Sequence, residues 1–211
     1  MRPTTLKTIL ILLITSSAWG QTTIRGTTKI TSDGVTSDTV NTSPNKDFEN
    51  RINLGPINLS VYDLEIRCYT LTAMTNKRNL RIVKFTNDKW EAVEFEEKQK
   101  SSKVTRRELD PTMGYERFMT SLIDQNIFTL PNQSEVDKRI ADSFASKKEA
   151  LSSRPGVSDG YIITIEFKID NKYRVYQFSN PDSYLRYYRN VDEFKNYSSI
   201  KNLFEEGLER K

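Results

Sequence analysis

The side chains available for acid–base or nucleophilic chemistry in this chain are few, because the sequence contains no histidine and a single cysteine. Serine–histidine triads, cysteine–histidine dyads and histidine metal sites are therefore excluded. Carboxylates remain as the acid–base candidates, and those in or beside predicted strands are Glu65, Glu91, Glu94, Glu96, Glu97 and Glu166. A glycoside hydrolase needs two carboxyl groups roughly 5–10 Å apart across the bond that it breaks. A carboxylate-dependent glycan hydrolase is thus one function open to this chain.

The strand pattern favours a simpler role for two of these carboxylates, Glu65 and Glu166. Apolar and polar residues alternate in segments 61–71 and 161–169, and both glutamates lie on the polar side. The polar side of a half-buried antiparallel strand faces water. We therefore expect solvated carboxylates, and the sequence predicts no catalytic residue, no metal site and no cofactor.

Cys68 lies on the apolar side of its predicted strand, together with Leu64 and Ile66. A lone cysteine forms no internal disulfide, although an exported protein would be free to form one. The pattern favours a buried structural thiol over a reactive nucleophile.

The most distinctive segment is 173–189, where six tyrosine and phenylalanine residues are interleaved with three arginines. Aromatic faces beside guanidinium groups stack on sugars, bases or partner side chains. The competing interpretation is that the rings close the core and the arginine stems lie around them. Periodicity indeed places Tyr173 and Tyr184 inward. The candidate binding residues are Arg174, Tyr176, Arg186 and Tyr187.

These residues are carried by segregated hairpins and helices. Segments 80–85 and 90–95 flank a polar turn, and 161–169 and 172–178 flank Asp170–Asn171. Helices are predicted after Asp110–Pro111, from Ser134, after Asn180 and at the C-terminus, with the charged run 96–108 as an exposed connection. Without βαβ alternation, the pattern predicts an α+β fold: an antiparallel sheet of two hairpins plus one further strand, packed by three to four helices.

The chain begins with the features of a cleavable signal peptide. Arg2 and Lys7 precede the apolar run 9–14, and Ala18-Trp19-Gly20 has the form of a signal peptidase site. The run is shorter than the roughly 20 residues that a membrane span needs. We therefore expect cleavage after Gly20, a secreted or periplasmic protein, and no stable membrane insertion afterwards.

Residues 21–56 are predicted to be a flexible tether, and 57–211 a single domain. Eight threonines and three serines occur in 21–50, and Asp38-Thr39-Val40 has the form of a bacterial O-glycosylation site at Thr39. Loss of the signal peptide lowers the net charge from +4 to +2, so no nucleic-acid partner is expected.

Several segments resemble small secreted proteins of Bacteroidota-type bacteria across about residues 110–208. They are Asp159-Gly160-Tyr161, the hairpin strand 172–178, Ser179-Asn180-Pro181 and the helix running into 126–131. The resemblance implies export from a bacterium and implies no activity or functional residue. The sequence as a whole predicts an exported, non-catalytic binding domain whose partner is a protein or a cell-envelope glycan.

Overall fold

The computed structural model describes residues 21–23, 29–31, 35, 37, 43–73, 75, 77–97, 103–146 and 160–211. The predicted signal peptide and Thr39 lie outside these residues. The strands are β1 (Gln21–Thr23), β2 (Lys29–Thr31), β3 (Leu64–Thr72), β4 (Lys77–Thr86), β5 (Lys89–Glu97), β6 (Val104–Pro111), β7 (Tyr161–Ile169), β8 (Lys172–Ser179) and β9 (Leu208–Arg210). The helices are α1 (Lys46–Arg51), α2 (Tyr115–Asp124), α3 (Gln133–Ser146), α4 (Pro181–Tyr187) and α5 (Asp192–Glu206), with a 3-10 turn at Ile57–Leu59.

Seven of these strands form one antiparallel sheet in the order β8-β7-β3-β4-β5-β6-β9. The predicted α+β class is confirmed, and both predicted hairpins are present as β4–β5 and β7–β8. Their turns contain Asn87, Asp88 and Asp170 at positive φ, a conformation that Asn and Asp tolerate better than most residues. The sheet is larger than expected, and five helices rather than three to four surround it in the described part of the chain.

Strand β6 accounts for most of the difference in the sheet. Its residues lie largely in the charged run that was expected to be a connection, and Asp110–Pro111 end the strand instead of beginning a helix. The charges are compatible with a strand because β6 pairs with β5, which places Arg107 directly opposite Glu94. Helix α2 begins only at Tyr115, after Gly114 at φ +79°.

The two faces of the sheet are covered differently. Helices α2, α3, α4 and α5 cover one face over a large apolar core that includes Ile66, Phe118 and Phe204. A smaller apolar cluster lies on the opposite face, where Phe48 of α1 packs on Tyr69 and Ile82. The central strands β3, β4, β5 and β7 thus bury residues of both parities, which strict alternation does not predict.

Part of the segment assigned to the tether therefore packs against the sheet. Val35 is buried in the helix-covered core, and the Ser37 hydroxyl donates a hydrogen bond to the Tyr173 carbonyl of β8 at 3.3 Å. Residues 43–56, which we call the strap, lie on the other face and contain α1. The packed part of the chain thus begins before residue 57, because Phe48, with Ile52 and Leu54, anchors the strap to the sheet.

Candidate functional site

The predicted binding residues do not form one surface. Tyr176 is fully buried, and its hydroxyl donates a hydrogen bond to the Ile127 carbonyl at 3.0 Å. The half-buried Arg174 guanidinium lies 5.8 Å from the centroid of the Tyr176 ring. Both residues pair with core positions of β7, so they lie on the core side of β8. The sequence pattern places Tyr173 on that side instead, and this prediction is wrong. Tyr176 therefore belongs to the core and not to an exposed site.

Arg186 and Tyr187 lie together at the end of α4, and both are exposed, Tyr187 to 67%. Arg174, by contrast, is five residues before the end of β8, which is about 17 Å along the extended strand. Tyr184 lies three residues before Tyr187, on a neighbouring position of the helix surface. This end of α4 is thus the accessible half of the predicted site.

Tyr184 also lines a groove of about 320 Å³ beside the outer edge of β8. The groove combines amide, hydroxyl and carboxyl side chains with apolar and aromatic ones. Its lining residues are Asn132, Gln133, Ser134, Asp137, Ile162, Gln177, Phe178, Ser179 and Tyr184. We call it the β8 groove.

Two side chains of the β8 groove are held by the backbone of the edge strand. Asn132 Oδ1 accepts a hydrogen bond from the Gln177 amide at 3.0 Å, and Gln133 Oε1 accepts one from the Ser179 amide at 2.6 Å. The oxygen of each side chain thus accepts from the backbone of β8, and the amide nitrogen of each carries two donor hydrogens. Sequence reasoning missed this groove, since it depends on β8 being an edge strand.

The carboxylates Glu65 and Glu166 are buried, so the prediction that they face water is wrong. The strap covers them and adds Glu49, and the three carboxylates surround Arg67. The Arg67 guanidinium lies 2.7 Å from Glu65, 3.1 Å from Glu49 and 3.9 Å from Glu166. The hydroxyls of Ser43, Ser60 and Tyr69 donate to the same carboxylates. We call this group the acidic cluster.

Burial is the main cause of an unusual ionisation state in the acidic cluster. Loss of solvation raises the pKa of Glu166 to about 7, and the negative charge of Glu49 acts in the same direction. The hydrogen bond from Ser43 and the charge of Arg67 oppose this rise. Burial likewise raises the pKa of Tyr69, which remains a neutral donor.

A second group of charges lies near β9 on the helix-covered face, and we call it the basic cluster. Two carboxylates, Glu94 and Glu96, are contacted by four cationic side chains: Lys77, Arg81, Arg107 and Arg210. Burial acts to raise the pKa of Glu94, but hydrogen bonds from Asn79 and the arginines outweigh it, and the pKa is lowered. Hydrogen bonds from Lys77 and Arg107 lower the pKa of Glu96 to about 2.

Cys68 is a free, buried thiol, as predicted. Burial raises its pKa, so the reactive thiolate is disfavoured. It borders a cavity of about 310 Å³ that Arg81, Phe204 and Glu205 also line. No group of three or more metal-ligating side chains positioned for a metal ion occurs among the residues that the structure describes.

Glu91 and Glu108 are the carboxylates that line an accessible depression, of about 260 Å³, beside Trp90. Both glutamates are exposed, and Arg106 lies 3.6 Å from Glu108.

The chain matches no protein-family model, no curated protein and no solved structure.

Proposed function

We propose that this protein is an exported, non-catalytic binding domain that takes a cell-envelope glycan in the β8 groove. The observation that carries the proposal is the composition of the groove, in which the fixed amides of Asn132 and Gln133 lie close to Ser134 and Tyr184. Amides and hydroxyls both donate and accept, as sugar hydroxyls require. An aromatic ring covers the apolar face of a sugar.

The closed state of the acidic cluster supports a non-catalytic role. General acid–base catalysis needs a carboxyl group within hydrogen-bond reach of the substrate. Glu49, Glu65 and Glu166 instead bond to Arg67 and to hydroxyls beneath the strap. The proposal of export rests on the sequence of residues 1–20. In the described part of the chain, no helix is long and apolar enough to cross a membrane.

The proposal is tested by titrating the protein with soluble peptidoglycan fragments and neutral oligosaccharides in a calorimeter. We expect one of these glycans to bind, and Gln177→Ala and Ser134→Ala, two exposed positions of the groove, each to weaken binding about tenfold without lowering the melting temperature. Arg106→Ala, an exposed substitution outside the groove, is the control. Absence of binding across the panel, or equal loss in the control, would contradict the assignment.

Glycan hydrolysis is the second candidate, and the depression containing Glu91, Glu108 and Trp90 favours it. Under this alternative, the same oligosaccharides would be cleaved, and Glu91→Gln or Glu108→Gln would abolish turnover while binding persisted. Uncleaved oligosaccharides after prolonged incubation would exclude this function for the panel used.

A further inference from the structure

The strap is held on the sheet by an interface in which like charges face each other. Glu49 belongs to the strap and Glu166 to β7, and the hydroxyls of Ser43 and Tyr69 lie between them. Ser43 Oγ is 2.5 Å from Glu166 Oε1 and 3.2 Å from Glu49 Oε1. Two carboxyl groups from two parts of the chain therefore share the same donors.

The number of protons in this interface is smaller than the number of contacts. Each hydroxyl carries one hydrogen, yet Ser43 and Tyr69 are each within hydrogen-bond distance of both Glu49 and Glu166. Two protons thus serve four contacts when both carboxyls are ionised. A third proton, on Glu166, converts one repulsive contact into a hydrogen bond.

The surrounding charges do not compensate for three ionised carboxylates. Among the described residues, Arg67 is the one cation within 4.0 Å of them, and Glu65 on β3 already takes its closest contact. Lys168, two residues beyond Glu166 on β7, donates to the Tyr62 carbonyl at 2.8 Å, and Lys84 on β4 lies over the Tyr62 ring. The β8 residues on this face are Tyr173, Val175 and Gln177, and the 3-10 turn adds Ile57, Asn58 and Leu59.

The strap also has an unfavourable polar group of its own. Asn45 is 7% exposed, and its buried Nδ2 has no hydrogen-bond partner among the described residues. An unsatisfied buried donor costs on the order of a lost hydrogen bond. Docking of the strap is therefore sensitive to a change of one charge at the interface.

We propose that the strap is a pH-dependent latch, docked while Glu166 holds a proton and released as that proton leaves. The direction follows from the raised pKa of Glu166, about 7, against the ordinary value of 4.5 for an exposed glutamate. The docked state binds the proton more tightly, so docking is strongest below about pH 4.5 and weakens as the pH rises through 7. Release would uncover Tyr69, Ile82 and the carboxylates on this face.

Hydrogen exchange of the strap amides tests the latch in the intact protein. The reporter amides are those of Phe48, Glu49 and Leu54, which bond within the strap, and the amides of β4 and β5 are the internal reference. After correction for intrinsic exchange, we expect strap protection to fall about tenfold between pH 6 and 8 while the reference stays constant.

Glu166→Gln supplies the matched variant, because glutamine resembles the protonated acid and cannot ionise. Its strap protection should stay constant between pH 6 and 8. Glu49→Gln removes the opposing charge from the strap and should reduce the wild-type change even if Glu166→Gln does not fold. A wild-type strap that is equally protected at both pH values, or variants that keep the full change, would overturn the latch. Neither outcome bears on glycan binding in the β8 groove.

Discussion

The acidic and basic clusters use the same residue types and reach opposite ionisation states. One guanidinium serves three carboxylates in the acidic cluster, and each of these side chains is at most 5% exposed. Four cations serve two carboxylates in the basic cluster, and Arg210 is 60% exposed there. The pKa of Glu166 rises to about 7, whereas the pKa of Glu96 falls to about 2. The ratio of charges and the access of water, not the presence of an ion pair, thus determine the direction of each shift.

The largest expected effect is that of removing the cation from the acidic cluster. Arg67→Met leaves three buried carboxylates without a positive partner, and loss of one member of a buried pair costs about 3–5 kcal/mol. We expect the free energy of unfolding in urea at pH 7 to fall by this amount. Arg107→Met in the basic cluster is the control and should cost much less, because its guanidinium is solvated and other cations contact the same carboxylates. Similar losses in both variants would remove the distinction between the clusters.

The second-largest expected effect is on the pH dependence of the free energy of unfolding, which has opposite signs in the two clusters. Because the folded pKa of Glu166 is raised from 4.5 to about 7, its contribution is complete below pH 4.5 and is lost as the pH rises through 7. The full shift corresponds to about 3 kcal/mol at 1.36 kcal/mol per pKa unit. Glu166→Gln should therefore be more stable than the wild type at pH 8 and equally stable at pH 4.5. Urea denaturation at the two pH values measures this, and parallel curves would refute it.

The smallest effect belongs to Glu96, whose contribution has the opposite sign. Its folded pKa is depressed, so the contribution is present above about pH 4.5 and is lost as the pH falls toward 2. Glu96→Gln should cost about 0.5–1 kcal/mol at pH 7, since its partners Lys77 and Arg107 are partly exposed. At pH 2 the difference from the wild type should shrink. A larger loss at acid pH would contradict the assignment.

The clusters also show where sequence patterns are sufficient. The hairpin turns at Asn87-Asp88 and Asp170-Asn171 were predictable because their conformations are set locally. The α+β class followed from the order of the elements. The burial of Cys68 followed from the alternation of a single strand.

The acidic cluster was not predictable in the same way. Alternation identifies which side of a strand is polar, but it does not show whether another part of the chain covers that side. Glu166 is buried by Ser43 and Glu49, which lie more than 100 positions earlier in a segment of tether-like composition. The prediction of an exposed Tyr176 is wrong for a related reason. Both faces of β8 carry aromatic or apolar residues, so alternation does not show which face is the buried one.

The bonds that fix the β8 groove also determine where the sheet stops. Side-chain atoms of Ser37, Asn132 and Gln133 occupy the outward amides of Tyr173, Gln177 and Ser179, where an eighth strand would otherwise pair. An exposed edge of this length is a template for aggregation and strand exchange. These three side chains block that edge, so the outward amides of β8 are protected against pairing with a strand of a second copy of the chain.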